Sequence, residues 1–527
     1  MKKNVKKFTA FLIVLAFVLS GCGGGGSPST PANNASSDGA QDHLTISVSG
    51  DPNTLDAFAP LGAEFWWEQL TIIYERLLDI DPEGNVVGCL AESWEFVDDE
   101  TAMIFHLRKG VKFHNGEEMK AEDVIYSYQT CAALPNGKDY VATFDTANME
   151  AIDEYTVRVP LNYVAGDIMS CLSNARTWIV SKKAREEDTE GFAHNPVGTG
   201  PFKLIDWVTS DRIIYERFDD YWGEAPKYKD LTIRIIPEES QAMIEAETGN
   251  VDLFKAANGT VINQAKSNPD LQIFELQPVS ILYMGLNCAI EPFNNKLVRQ
   301  AMATAVDREG IVNAAVMGLG VPAMSHFSPA CWAYKDYTGS YPYEYDVENA
   351  KKLLAEAGYP DGFEMDLLVV SSPAMYIAVG EILQNQLGQI GITVNIKLYD
   401  SPTITDLLTG TDFDAFLRSY GSIQSEGGSN LVSITHPKNA ITGGTNRAKY
   451  GYGVDNADRY AEILDEIMLT HDDDARFALY HEAQDVWLED CPWVPIFYIN
   501  RDFVAKKTLR NIEYIGFDLN TEKIYFD

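Results

Sequence analysis

An α/β protein of more than one domain is predicted from three features of this 527-residue chain. Its second half alternates helix and strand periodicities, an arrangement that requires parallel crossovers. Its first half carries short alternating strands closed by Gly, Asn and Asp turns. The roughly 485 residues beyond position 42 exceed what one hydrophobic core usually supports.

The N-terminus reads differently from the rest. Lys2, Lys3, Lys6 and Lys7 precede an apolar run over residues 8–19, and Leu19-Ser20-Gly21-Cys22 follows. The run is short for a membrane span and has the layout of a secretory signal peptide. Ser20 and Gly21 suit a narrow peptidase site, and the junction resembles a bacterial lipobox in which the Cys22 thiol accepts a diacylglyceryl group. Residues 1–21 are thus read as the signal peptide and Cys22 as the lipidated first residue of the mature protein. Residues 22–42 begin Cys22-Gly23-Gly24-Gly25-Gly26-Ser27-Pro28 and continue rich in Ser, Thr, Asn and Pro. Such a segment cannot bury apolar surface, so it is expected to be a flexible tether with an r.m.s. span of roughly 25 Å.

Within the body, residues 43–49 alternate as a strand. Residues 101–113 predict two strands, the first with Met103, Phe105 and Leu107 on one face, the second with Val111 and Phe113, closed by the Asn115-Gly116 turn. A helix is expected over 122–130 and further strands over 153–161 and 202–218. Asp346 is placed to cap a helix whose Ala350, Leu353, Leu354 and Ala357 fall at i, i+3, i+4 and i+7, with Gly358 as its stop. Leu383, Leu387 and Ile390 mark another helix, followed by strict alternation at Ile392, Val394, Ile396 and Leu398. A strand over 413–417 and two helices over 457–489 complete the pattern. The second helix is expected to start at Thr470 or at the acidic run Asp472-Asp473-Asp474, which is read as a negatively charged helix start rather than a metal site.

Composition narrows the function. The formal charge of −36 disfavours phosphate backbones, so nucleic acid is excluded as a partner. Apart from Cys22, the cysteines at 89, 131, 171, 288, 331 and 491 form no C-x-x-C pair, which argues against zinc or iron–sulfur. Their disulfide pairing stays open, buried free thiols included. Asp79-x-Asp81-x-Glu83-Gly84 mimics the start of a calcium loop, but its twelfth position is Leu90, so a hairpin turn is expected. His106 and His114 are read as solvated strand residues. The chain carries no G-x-S-x-G elbow, H-E-x-x-H helix or phosphate-binding G-x-x-x-x-G-K-[ST] loop, and His481-Glu482 lacks a second histidine. No catalytic residue, metal or cofactor is expected.

One stretch is more specific. Residues 90–124 contain Leu90-Ala91-Glu92-Ser93-Trp94-Glu95, then Phe105-His106-Leu107-Arg108-Lys109-Gly110-Val111-Lys112-Phe113-His114-Asn115-Gly116, then Ala121-Glu122-Asp123-Val124. Asn195-Pro196-Val197-Gly198-Thr199-Gly200-Pro201-Phe202, Tyr221-Trp222-Gly223, Gly249-Asn250-Val251-Asp252, Val298-Arg299-Gln300-Ala301 and Ala305-Val306-Asp307-Arg308 follow in order. Over residues 44–505 the chain resembles the family 5 extracellular solute-binding proteins, the oligopeptide, dipeptide and nickel binders of ATP-driven (ABC) importers. Lys120 departs from that pattern, which has a capping Ser or Thr there. The signature residues are expected to build scaffold, with Gly198, Gly200 and Pro201 fixing a tight path into a strand.

The resemblance implies a two-lobed, periplasmic-binding-protein-like α/β fold of type II, in the large peptide-binder class with an accessory subdomain. Lobe I would comprise residues 43–280, with the accessory part near 75–195, lobe II residues 281–498, and residues 499–527 would return to lobe I. The crossovers are expected near residues 283–287 and 495–498, with a ligand cleft between the lobes. Peptide binders of this family place an acidic residue just after the strand that here ends in Arg418, to pair with a ligand ammonium. Here that position falls near Gln424, with Glu426 as a substitute. Arg418 is the expected partner of a ligand carboxylate, and Tyr420, Trp66 and Trp67 are expected to line the cleft. A peptide is the first ligand class to consider; a sugar-containing, N-blocked or metal-chelate solute is the alternative. The implied partners are the permease subunits of an ABC importer and, through the lipid, the outer face of a membrane. A monomer is expected.

Overall fold

The computed structural model describes residues 42–527 apart from 53, 59–65, 82–84, 99, 135–140, 164–167, 169–171, 173–176, 422–427, 471 and 516–517, and at 66–68, 428–431, 514–515 and 518 the backbone alone. Cys22, the tether up to residue 41, Cys171, Gln424 and Glu426 therefore lie outside the described residues.

The first half of the chain supplies strands β1 His43–Val48, β2 Leu78–Ile80, β3 Val86–Gly88, β4 Ala91–Val97, β5 Ala102–Leu107, β6 Glu150–Asp153, β7 Thr156–Pro160, β8 Phe202–Val208, β9 Arg212–Arg217, β10 Asp230–Ile235 and β11 Leu253–Ala256. The second half supplies β12 Leu271–Leu286, β13 Gly320–Pro322, β14 Glu364–Val370, β15 Thr393–Tyr399, β16 Ala415–Gly421 and β17 Trp493–Lys506. Eleven of these form one sheet, in the order β15-β14-β16-β12-β17-β11-β1-β10-β9-β8, with β13 also on β17. Strands β4, β5, β7 and β6 make a separate four-stranded sheet.

The long strands β12 and β17 run antiparallel through the centre. Their lobe I ends carry Phe274, Leu276, Phe503 and Ala505 into a core built on β1, β9, β10, β5 and β7. Their other ends carry residues 281–286 and 493–498 into a second core with β14, β15 and β16. The passage between cores falls at the register shift between Leu276 and Ser280. Both expected crossover segments, 283–287 and 495–498, thus sit inside the lobe II core. Their apolar pattern marks a strand buried on both faces, and that pattern continues without a break into the crossing.

Several elements differ in detail from expectation. Residues 202–218 form a hairpin rather than a single strand, with β8 and β9 joined through Ser210 at φ 60, whereas 153–161 holds the expected strand as β7. Val111 and Phe113 are buried as expected, but only a Lys112–Glu118 bridge pairs there, because Gly116 at φ +86 turns the chain at once. Alternation along β15 fades outward, from buried Val394 to half-exposed Leu398, since β15 is the sheet edge. Helix Val347–Glu356 buries Ala350 and Leu354, is capped by Asp346 accepting from Asn349 N at 2.9 Å, and stops at Gly358 with φ +96. Asp472 caps helix Asp473–Asp490 by accepting from Ala475 N at 2.8 Å, so the acidic run serves a helix start. Asp79 and Asp81 lie on the hairpin of β2 and β3. Cys89, Cys288 and Cys491 are buried free thiols, and Cys131 and Cys331 are buried as well.

Two helices of lobe I explain the signature residues. Helix α1 spans Trp66–Ile73 and helix α2 spans Ala121–Ala133. Lys120 stands at the N-cap of α2 and cannot accept a hydrogen bond there; instead Asp123 accepts from Lys120 N at 3.0 Å and from Lys182 N at 3.0 Å. His114 is not a solvated strand residue. Its Nε2 donates to Gly200 O at 3.0 Å, its backbone N donates to Gly198 O, and its ring meets Phe218 edge-on. Burial pushes it down to about 4, so it is a neutral strut between two signature segments. His106 remains partly exposed near Glu95.

The Tyr221-Trp222-Gly223 motif closes on Glu75, just beyond α1. Tyr221 OH donates at 2.9 Å and Trp222 Nε1 at 2.8 Å to its two carboxylate oxygens. Enclosure raises this carboxyl from 4.5 to about 7, with Glu522 adding to the rise. The folded protein therefore holds a proton that the unfolded chain releases. The stabilisation is complete below about pH 4.5 and is lost as pH rises through 7. Glu75→Gln, which still accepts from Trp222, is expected to flatten the fall of melting temperature between pH 5 and 8, as read by calorimetry. Parallel curves for wild type and variant would refute it.

Candidate functional site

Strands β14, β15 and β16 are mutually parallel, so their carboxyl ends emerge on one edge of lobe II. Gly421, at the end of β16, pairs with Ser280, which in turn pairs with Ile499. This edge therefore opens at the passage between the cores. In lobe I, β1 is parallel to both β10 and β11, and Ala256 at the end of β11 pairs with Asp502 of β17. Its carboxyl ends open toward the same passage from the other side. Ligands of open α/β sheets bind outside the carboxyl ends of parallel strands. Here two such edges face each other.

On the lobe II edge, Arg418 of β16 lies opposite Tyr283 of β12. Its Nη1 donates to Thr405 Oγ1 at 2.9 Å and its Nη2 reaches Ser401 Oγ at 3.4 Å. Both hydroxyls come from helix Ser401–Leu407, which follows β15 and is capped by Asp400. Tyr376, in helix Ala374–Gly388 after β14, shares a 2.7 Å hydrogen bond with Ser419 Oγ. Tyr283 stacks on Trp493 with ring centroids 3.8 Å apart, and Tyr420 meets the same indole edge-on at 5.9 Å. The Tyr420 hydroxyl is buried without a hydrogen-bond partner among the described residues.

The structure thus brings together Arg418 and Tyr420 of the expected site residues. Gln424 and Glu426 belong to the segment directly after β16, outside the described residues. Trp66 and Trp67 open α1, which follows the loop leaving β1, but their side chains are likewise outside what is described. On the lobe I edge, β1 runs into Ser49-Gly50-Asp51, where Asp51 accepts from Trp207 Nε1 at 2.9 Å.

Sequence reasoning missed Arg447 and Lys449. Arg447 interacts electrostatically with both Arg418 and Tyr283, and Lys449 with Arg447. Burial and the neighbouring cation lower the pKa of both groups. Lys449 Nζ points at the carbonyls of Thr409 and Ile441. The signal was available: residues 427–454 contain no Asp or Glu in a chain that has 77 of them.

A groove of about 890 Å³ lies elsewhere, between the start of α2, the turn joining β6 to β7 and helix Lys182–Glu187. Eight carboxylates and three lysines line it, several already paired, as Lys182 with Glu122 and Lys120 with Glu154. It is a solvated charged surface and contains none of the strand-end residues. Among the described residues no group of His, Cys, Asp and Glu is placed to hold a metal ion, and no helix is long and apolar enough to cross a membrane.

Two α/β lobes, joined by two strands and facing each other across the carboxyl ends of parallel strands, define a two-lobed binding protein of type II. Residues 85–441 match the model of the bacterial extracellular solute-binding proteins, family 5 Middle. The chain belongs to that family, whose members are binding proteins and not enzymes. It is similar to heme-binding protein A of Haemophilus influenzae, 28% identical over 453 residues covering 80% of this chain and 81% of that one. It is also similar to the oligopeptide-binding protein AppA of Bacillus subtilis, 29% identical over 447 residues, 80% and 81% of the two chains. The solved structure of AppA with a nonapeptide superposes with a TM-score of 0.75 at 25% identity, over 93% of this chain and all of that one. HbpA2 of Haemophilus parasuis shares the fold with a TM-score of 0.81 over 92% of this chain.

Proposed function

We propose that this protein is held outside the cytoplasm by a lipid on Cys22, captures a small solute between its lobes by closing about β12 and β17, and delivers it to the permease of an ABC importer. The observation that carries this reading is the convergence of both lobes' strand ends on one gap that two strands span among the described residues. Rigid-body closure about such a connection needs backbone change at a few residues, and the register shift at Leu276–Ser280 supplies an irregular place for it. Lobe boundaries at 43–280 and 281–498, with an accessory part near 75–195 and a return over 499–527, go with this reading.

A peptide is the first ligand class, supported by the oligopeptide- and dipeptide-binding relatives. Arg418 would receive a carboxylate, Tyr420 would wall the cleft with Trp66 and Trp67, and an ammonium would meet Gln424 or Glu426. One observation favours a second reading. The described groups around Arg418 are cations and hydroxyls, which offer a free amine no carboxylate. A non-peptide acid is the alternative on that ground.

Ligand can favour the closed form only through its differential affinity for it. A saturating di- to pentapeptide mixture is therefore expected to reduce the radius of gyration by small-angle scattering and to raise the melting temperature. Binding heat without any change in the scattering curve would rule out closure. The absence of both heat and thermal shift would rule out peptides.

A further inference from the structure

Arg418, Arg447 and Lys449 are notable for what surrounds them. None has an ion-pair partner among the described residues, in a chain whose formal charge is −36. Arg447 Nη1 is buried with no hydrogen-bond partner among the described residues. The groups that face the pair are hydroxyls: Thr405 and Ser401 on Arg418, and the phenol of Tyr283 near both guanidinium groups. Tyr376 and Ser419 adjoin them through their shared hydrogen bond. Partly desolvated cations without counter-charges are unfavourable, and two that repel each other are more so. A protein that only needed a rigid strand end here would gain by a carboxylate or a neutral side chain. The repulsion is relieved when a ligand supplies the missing negative charge, and a guanidinium fork suits a carboxylate or phosphate oxygen pair.

We propose that Arg418 and Arg447 together receive a ligand end that carries two negative charges, either two carboxylates or one phosphate. Arg418 comes from β16 and Arg447 from the acid-free segment 427–454, so the two forks approach the ligand from separate parts of lobe II. Lys449, with its ammonium held by backbone carbonyls, adds to the positive field without being free to swing into the gap. A single carboxylate would neutralise one of the two guanidinium groups and leave the other exposed to its neighbour. This inference rests on the reading of the strand-end gap as the ligand site.

Calorimetry on the purified full-length mature protein tests it, with malonate, inorganic phosphate, acetate, and the peptide pair Ala-Ala-Ala and Ala-Ala-Asp at matched ionic strength. Ala-Ala-Asp is expected to bind at least about tenfold more tightly than Ala-Ala-Ala, and malonate or phosphate to raise the melting temperature where acetate does not. Arg447→Gln is expected to abolish both differences while leaving the ligand-free protein at least as stable as wild type, because a strained charge has been removed. Arg447→Lys, which keeps the charge and loses the fork, should fall between. Malonate acting where phosphate does not assigns the site to dicarboxylates; the reverse assigns it to phosphate esters. If Ala-Ala-Ala binds and closes the lobes but no dianion gains over its monoanionic counterpart, or if Arg447→Gln keeps the gain, the double-charge inference fails and the cleft reading stands. If no probe binds, both fail.

Discussion

Gly198→Ala is expected to destabilise lobe I by about 3 kcal/mol, at the upper end of what overpacking costs. A methyl group at this position would collide with the carbonyl oxygen of Ile73 and the ring of Tyr74. Neighbouring Gly200 is as tightly placed, its Cβ position only 2.6 Å from Ile72 O, and its N–H donates to Ile73 O at 2.9 Å. The nearest obstructing atoms are backbone carbonyls at the end of α1, which cannot rotate away as a side chain would. Retreat of that helix end would also loosen Glu75 and the strut from His114. For a lobe of this size the loss corresponds to about 2–4 °C of melting temperature per kcal/mol. Gly388→Ala is the control, since nothing lies within 4 Å of its Cβ position at the end of a helix. That change is expected to be neutral or slightly stabilising. Thermal and urea unfolding should therefore show a large loss for Gly198→Ala and none for Gly388→Ala, and equal effects would refute the close-approach account.

Cys22→Ser is expected to release the protein from the membrane fraction almost completely. One acyl chain gives only marginal, reversible attachment, at about 0.8 kcal/mol per buried CH₂, whereas a diacylglyceryl group supplies two chains at once. A serine hydroxyl in place of the thiol offers no sulfur for the thioether. Fractionation and mass spectrometry of the N-terminal peptide check this together. Unchanged membrane retention of the variant, with an unlipidated N-terminal peptide in the wild type, would refute lipidation at Cys22.

Both experiments concern residues that stand out in the sequence, yet for different reasons. Cys22 is legible because lipobox chemistry acts on a linear segment, where neighbours in the chain are the whole context. Gly198 and Gly200 are legible only as a tight backbone path. That the path is tight because it lies against Ile72 and Ile73, some 125 residues earlier, is a fact of packing. His114 shows the same limit more sharply. Its alternation with Phe113 points it outward, but the bridge at Lys112–Glu118 and the turn at Gly116 fold the segment onto Gly198 and Gly200.

The candidate site divides in the same way. Arg418 and Tyr420 were legible through the resemblance, which implies that ligands of this family meet the chain where this strand ends. Arg447 sits in a segment with no strong periodicity, and its relation to Arg418 and Tyr283 depends on the course of the chain between β16 and helix Ala457–Leu469.

Local chemistry was enough for the α/β class, the helix from Asp346 to Gly358, the capped start at Asp472 and the order of the signature motifs. Each depends on side-chain spacing, capping or turn preference within about one helical turn or hairpin. Where β12 and β17 leave one core for the other, which cations lie together without a carboxylate among the described residues, and why two glycines admit no side chain were decided only by tertiary structure. Each of these is set by contact between segments about 30 to 235 residues apart, and a spacing pattern carries no record of what another segment brings alongside it.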